Sequence, residues 1–434
     1  MKAIKGKFLP KGVHVPDNKQ WSMDVPIEVM DAPDIVAIST QQHIGRPSTP
    51  VVAQGDEVYM GQLIAKESGY IGANVYSSVS GTVMGIEKRF NINGSQSDYI
   101  VIQNDHHYRE MRLDPLPDRE PATLRARIRE AGIVGMGGAG FPTEVKLSPK
   151  TPVDTLVINA AECEPYLTCD YRLMIEKTQE VLAGIRLLAK ALGDVKILMG
   201  IELNKPKAIQ AFEQFDDIQV VALKKAYPMG SEKHLIYSCT GRTVPVGKLP
   251  ADAGCVVQNV ATAYAVYEAV ELDKPLYERV MTVSGRGCIH PKNLIVKTGT
   301  PYDAIRENCG VKDEAIKYIA GGPMMGPAMA SSNVYTTKTS SGFLMLLPEE
   351  TDQTDPTPCI NCGKCAEVCP MNLLPMQIDF YTQAGRYDLA EKYGGVRNCI
   401  SCGSCAFVCP AKRALTQSIA LCKAKLAQSK GGGK

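Results

Sequence analysis

Two short cysteine runs constrain this chain more than anything else in it. They read Cys359-x-x-Cys362-x-x-Cys365-x-x-x-Cys369-Pro370 and Cys399-x-x-Cys402-x-x-Cys405-x-x-x-Cys409-Pro410. Each has the ferredoxin spacing of a [4Fe–4S] cluster: three closely spaced thiolates wrap one cubane, and the fourth, ahead of a proline, reaches the partner cluster. Zinc is the rival ligand. It is satisfied by two Cys-x-x-Cys pairs and leaves the third cysteine and the trailing Cys-Pro without a reason. The spacing therefore predicts two [4Fe–4S] clusters in a protein that moves electrons one at a time. On the cross-ligation pattern, one cluster takes Cys359, Cys362, Cys365 and Cys409, and the other takes Cys399, Cys402, Cys405 and Cys369.

Of the fifteen cysteines, Cys163, Cys169, Cys239, Cys255, Cys288, Cys309 and Cys422 lie outside the motifs and read as plain buried thiols of a reducing compartment. With 434 residues the chain has room for two to four domains and their cores. Basic and acidic residues nearly cancel, 48 against 46, so no field points to nucleic acid or an anionic membrane surface as the main partner. The basic start, MKAIKGKFLPKGVHVPDN, lacks the apolar region of a signal peptide, and no apolar run approaches the roughly 18 residues needed to span a bilayer. The expectation is a cytoplasmic or peripheral protein with a disordered GGGK tail.

Along the chain, residues 26–105 alternate like short strands broken by glycine. The stretches Val51–Ala65, with its Gly55-Asp56-x-Val58-x-x-Gly61-Gln62 turn, and Val75–Ile86 resemble the two halves of a barrel-sandwich hybrid, the fold of biotinyl and lipoyl carriers. Carriers present a modifiable lysine between the halves. Glu67–Asn74 has none, so a docking or structural module is expected. A polar, proline-containing linker spans 106–120. Next come a helix over Thr123–Ala131, a strand over Thr155–Ala160, a helix over Tyr171–Ala191, a strand over Val195–Ile201, a helix over Lys205–Gln214 and a strand over Ile218–Leu223. That alternation predicts a parallel α/β sheet. Residues 277–320 turn back toward strands with one short helix.

Gly135-Met136-Gly137-Gly138-Ala139-Gly140-Phe141-Pro142-Thr143 contains Gly-x-Gly-x-x-Gly, but it follows a predicted helix where a Rossmann loop follows a strand. Either a tight structural turn or backbone N–H groups open to an anion remain possible, with Lys146 close enough to neutralise a phosphate. The wider stretch is more specific. GMGGAGFPTEVK, followed by Asn159-Ala160-Ala161-Glu162-Cys163-Glu164-Pro165, then Tyr227-Pro228-Met229-Gly230-Ser231-Glu232 and Gln258-Asn259-Val260-Ala261-Thr262, resembles in order the motifs of the flavin subunit of respiratory complex I. The resemblance implies FMN between these loops. Gly135, Gly137 and Lys146, with Gly138 and Gly140 in the same loop, would hold the phosphate end. Asn159, Glu162, Gly230, Ser231, Glu232, Gln258, Asn259 and Thr262 would line flavin and ribityl, Phe141 would stack on the adenine of NAD(H), and Glu164 would bind its hydroxyls. Three positions depart from that pattern by losing a charge: Met136 for arginine, Ala161 for aspartate and Ser231 for glutamate.

The full order resembles the C subunit of the Rnf complex, a membrane ion-translocating ferredoxin:NAD oxidoreductase. It implies a multidomain α/β plus β chain: a barrel-sandwich hybrid with an N-terminal arm (1–110), a Rossmann-like FMN/NAD-binding α/β domain (120–272), a β-grasp module of the soluble-ligand-binding type (273–330) and a helical di-cluster ferredoxin domain (350–425). Two short helices around Ala384-Gly385 are expected between the cluster motifs. The resemblance also implies partners: other Rnf-type membrane and iron–sulfur subunits, ferredoxin reached through them, and NAD(H), with the chain peripheral on the cytoplasmic side of the membrane. Single electrons would arrive through the clusters and leave as hydride through FMN, with no side chain acting as acid or base. Two alternatives stay open: a soluble NAD(P)H-dependent reductase of another acceptor such as cobalamin, and an electron-wiring subunit with an empty flavin site.

Overall fold

The computed structural model describes residues 2–7 and 11–431; most of the expected disordered tail, residues 432–434, lies outside the described residues. The parallel sheet is present. Thr155–Ala160, Lys196–Glu202 and Gln219–Leu223 lie side by side, and Cys255–Asn259 returns to the other flank of Thr155–Ala160. These strands are near-continuous apolar runs because helices cover both faces. Strand order reverses between Thr155–Ala160 and Cys255–Asn259, so a switch-point crevice opens at their carboxyl ends.

Two helices, Thr178–Leu192 and Val260–Glu271, back this sheet. Gly184 permits their close approach, since a Cβ there would lie 1.8 Å from the Ala263 carbonyl oxygen. Gly193, left-handed at φ 102°, ends the first helix and donates its N–H to the Ala189 and Lys190 carbonyls. The single helix expected over Tyr171–Ala191 is in fact two, Cys169–Glu176 and Thr178–Leu192, parted at Lys177. The break re-aims the first piece so that Glu176 accepts the Ile27 N–H at 3.0 Å.

The N-terminal hybrid forms two antiparallel sheets. One holds Ile35–Ser39, Gln96–Asn104, Gly81–Phe90 and Glu57–Val58; the other holds Thr49–Pro50, Leu63–Lys66 and Val75–Tyr76. Val36, Ile38, Val58, Ile64, Val75, Val83, Ile100 and Ile102 fill the space between. The hairpin tip, where a carrier places its lysine, docks on helix Pro121–Glu130. Asn74 and Tyr76 donate to the Glu130 carbonyl, and Glu67 pairs with Arg129 at 2.7 Å.

Strand pairing crosses two of the expected boundaries. The arm does not stay with the hybrid: Ile4–Lys5 adds a parallel edge beside Gln219–Leu223, and Ile27–Val29 joins a mixed sheet. Strands of two or three residues carry no readable periodicity. That mixed sheet runs Lys317–Ala320, Gly342–Leu346, Glu278–Ser284, Lys292–Lys297, Ile27–Val29, with helix Tyr302–Cys309 packed on it through Tyr302 and Ile305. Its strand Gly342–Leu346 comes from beyond the expected end at 330. The polar stretch Ser331–Ser341 reads as a linker and hides the return. At the C-terminus, Pro375–Gln383 and Tyr387–Gly394 flank Ala384-Gly385 and pack with Leu415–Gly431 around Ile378, Ala390, Val396 and Ile419. Among the described residues no helix is long and apolar enough to cross a membrane.

Candidate functional site

The glycine loop is pinched shut by Gly135 N–H to the Phe141 carbonyl (2.8 Å) and Thr143 N–H to the Ile133 carbonyl (3.0 Å). It joins helix Pro121–Glu130 to helix Thr143–Leu147, which is why the Rossmann reading fails. The loop leans on the start of helix Val260–Glu271. Met136 N–H donates to Thr262 Oγ1 at 3.1 Å, and a Cβ on Gly137 would lie 3.0 Å from the Asn259 side chain. Asn259 caps that helix through the Ala261 N–H (2.9 Å) and donates to Asp170 at 2.6 Å. Asn159 donates to the Gly230 carbonyl at 2.8 Å. Lys146 donates to Glu232 at 2.7 Å and to the Val257 carbonyl at 3.1 Å.

Gly135, Gly137, Lys146, Asn159, Gly230, Glu232, Asn259 and Thr262 thus meet around the switch point. Gly138 is exposed with open space beside it. Gly140 does not belong to this wall. It turns left-handed (φ 71°) against the hybrid, where a Cβ would lie 2.9 Å from Thr339 and 3.2 Å from the Gln42 carbonyl oxygen. Both amide atoms of Gln258 and one carboxylate oxygen of Glu162 are buried without a hydrogen-bond partner among the described residues. Such groups cost about 1–3 kcal/mol each when left unpaired. Set in a crevice beside exposed glycine N–H groups, they fit a ligand with a polar ring edge and a phosphate, as FMN has.

Sequence reasoning names Glu162 but misses the charges around it, Lys19, Asp170, Glu202 and Lys205. Glu162, left-handed at φ 44°, accepts the Asp170 N–H at 2.8 Å and lies 3.8 Å from Lys19. Lys19 also donates to the carbonyls of Glu164 (2.9 Å) and Leu167. Lys205 donates to the Ala161 carbonyl at 2.6 Å and sits 3.6 Å from Glu202. Burial, opposed by Lys19 and Lys205, pushes the Glu162 carboxyl up to about 7. Burial also raises Asp170 and Glu202 and lowers Lys205. Met136, in place of the arginine, is buried in the apolar core, so positive charge here comes from elsewhere in the chain. Lys19 lies on the distant N-terminal arm, where no local pattern marks it.

Glu164 turns away from the crevice. Its two oxygens accept Tyr227 O–H and Met324 N–H, both at 3.1 Å, and burial pushes it up to about 6. Gly322 makes room for it: a Cβ there would lie 2.2 Å from a Glu164 oxygen. The glycine-rich run Gly321-Gly322-Pro323-Met324-Met325-Gly326 is the one local signal in the sequence for this close approach.

The cysteines group across the two motifs. Cys369, Cys399, Cys402 and Cys405 surround one cavity with about 370 Å³ of atom-free space, lined also by Pro370, Ile400 and Ile419. Cys359, Cys362, Cys365 and Cys409 surround a second of about 360 Å³. Among the described residues no three His, Cys, Asp or Glu side chains converge as a single metal ion would need. Each quartet surrounds a space, the arrangement that a cubane bound by four thiolates needs. The inner cavity adjoins the crevice: Cys402 packs with Tyr227, Val13 and Val15, with Cys163 and Met324 alongside. In the outer quartet Cys359 and Cys362 are exposed.

Comparison with known proteins follows this division. Residues 128–268 match the family model of the Nuo51 FMN-binding domain, 7–107 the RnfC barrel sandwich hybrid domain and 358–413 the 4Fe–4S dicluster domain. The C subunit of the proton-translocating ferredoxin:NAD(+) oxidoreductase complex of Clostridium ljungdahlii is 45% identical over 95% of this chain and 93% of its own length. The chain belongs to the Rnf C-subunit family. The C subunit of the Na(+)-translocating ferredoxin:NAD(+) oxidoreductase complex of Acetobacterium woodii is 39% identical, with 98% of each chain covered. The corresponding subunit of the Rhodobacter capsulatus ion-translocating complex is 41% identical over 96% of this chain and 83% of its own. As a member of that family, the chain carries a matched flavin domain on the crevice and a matched dicluster domain on the two cavities.

Proposed function

We propose that this chain is the NAD-linked subunit of a membrane ion-translocating complex, exchanging electrons between two [4Fe–4S] clusters and NAD(H) at one flavin site. One observation carries the reading: the inner cysteine quartet packs on Tyr227, in the same loop whose Gly230 walls the crevice. Flavin, when bound, couples one-electron to hydride chemistry, and the clusters supply the one-electron steps.

The chain's own work is to hold and order these groups. Asn159, Glu162, Gln258, Asn259 and Thr262 would meet the flavin ring and ribityl. Gly135, Gly137 and Lys146, with Glu232 orienting the lysine, would meet the phosphate. Phe141 would contact NAD(H), while Glu164, held by Tyr227 and Met324, would fix the loop behind it. Cys369, Cys399, Cys402 and Cys405 would hold the cluster next to the flavin, and Cys359, Cys362, Cys365 and Cys409 the outer cluster, whose exposed Cys359 and Cys362 face incoming electrons. We read the mixed sheet with helix Tyr302–Cys309 as the β-grasp module and the C-terminal helices as a helical ferredoxin domain. Ion movement then belongs to membrane subunits, with this chain bound at the cytoplasmic side and ferredoxin reached through a partner.

Flavin extraction from the purified protein and anaerobic titration with NADH test the reading. FMN release and bleaching of the flavin band by NADH are expected; a protein with neither sinks it.

A further inference from the structure

We propose that His234 is a positioning residue that holds the inner cysteine quartet against the flavin crevice; this rests on the functional reading above. His234 lies in the first turn of helix Glu232–Thr240 and is 8% exposed. Its two ring nitrogens face two different domains. Nδ1 contacts Ser231 Oγ in the crevice wall, and Nε2 lies 3.2 Å from the carbonyl oxygen of Pro370. Pro370 directly follows Cys369, the one inner-quartet cysteine supplied by the first motif.

A carbonyl only accepts, so Nε2 carries the proton and donates. Burial favours the neutral ring, so Nδ1 is the acceptor and the Ser231 hydroxyl donates to it. The contact also accounts for one departure from the flavin-subunit pattern. An ionised glutamate at position 231 has no proton to give Nδ1; a serine hydroxyl does. The result is a continuous path of hydrogen bonds and backbone from Asn159 through Gly230, Ser231 and His234 to Pro370 and Cys369. On the opposite side Tyr227 packs on Cys402. The inner quartet is gripped at two points, by an apolar contact and by one buried hydrogen bond from His234 Nε2–H to the Pro370 carbonyl.

The test compares the full chain with His234→Phe and His234→Gln, in which the Gln amide retains a donor toward Pro370. Stopped-flow mixing with NADH is followed separately in the flavin band and in cluster absorbance, with iron and FMN content assayed for each protein. His234→Phe is expected to keep its flavin-bleaching rate while cluster reduction slows roughly tenfold, the weight of one buried hydrogen bond in a docking equilibrium. Selective loss of inner-cluster iron in His234→Phe is the other supporting outcome. In either case His234→Gln recovers most of the unmodified protein's behaviour. Cluster reduction at the wild-type rate in His234→Phe with intact iron, or equal defects in both variants, overturns the proposal. Absence of flavin bleaching in the unmodified protein refutes the functional reading instead.

Discussion

Behind the crevice at the end of the parallel sheet, Lys19, Lys205, Glu162, Asp170 and Glu202 are drawn out of water and balanced against one another. The neighbouring cysteine cavities hold thiols among mainly apolar side chains such as Ile400, Leu373 and Ile419. The crevice draws its residues from the N-terminal arm and from several loops of the α/β domain. Each cavity takes its four thiols from two short motifs. The contrast teaches where each site is vulnerable. A cavity stands on individual covalent ligands, so one deletion removes a whole cluster. The crevice stands on packing and on many modest contacts, so single changes weaken it by degrees.

The sharpest way to break this contrast is Cys365→Ala. The expected outcome is loss of about four irons per chain with the flavin content unchanged, read by iron assay and flavin extraction. Unchanged iron would refute the ligand assignment, and a parallel loss of flavin would show that the two sites are not separable. Gly137→Ala should act in the opposite region and more gently. The added methyl meets the Asn259 side chain at 3.0 Å, so flavin affinity should fall on the order of tenfold with full iron retained. Fluorescence titration of the apo-protein with FMN measures it, and an unaltered affinity would remove Gly137 from the crevice wall.

The smallest effect sharpens the comparison from a third place, where the hybrid's hairpin tip meets the flavin domain. The Lys338 ammonium is buried there against the carbonyls of Asn74 (2.5 Å) and Gly132 (2.7 Å), and burial pushes it down to about 7. An unfolded lysine titrates near ~10.4, so between these values the unfolded chain binds more protons, and stability rises with pH across that window. Lys338→Met should flatten the rise by on the order of 1–2 kcal/mol between pH 7 and 9. Urea midpoints of both proteins at the two pH values check this, and equal slopes would mean that the lysine stays charged in the folded chain, as it is in the unfolded one.

The clusters were legible in the chain because ferredoxin ligands come at fixed short spacings; even the exchange of Cys369 and Cys409 between quartets follows from the Cys-Pro motif. The parallel sheet was legible through its alternation of apolar strands and helices. The glycine loop and the Asn159, Gly230 and Asn259 motifs were legible only as a resemblance, since each alone is also an ordinary turn. What could not be read is instructive residue by residue. Gly140 sits in the glycine motif yet packs on the hybrid. Glu164 sits in the acidic motif yet turns toward Tyr227 and Met324. Lys19 sits in no motif and reaches the site from the arm.

The sequence alone determined which chemistry this protein handles, because thiolate spacing and strand–helix periodicity are local properties of a chain. Tertiary structure decided how the parts are wired: which quartet lies beside the flavin crevice, which buried lysines lie behind it, and that His234 bridges Ser231 to Pro370. Those are contacts between distant segments, set by strand order and packing, and no local pattern encodes them.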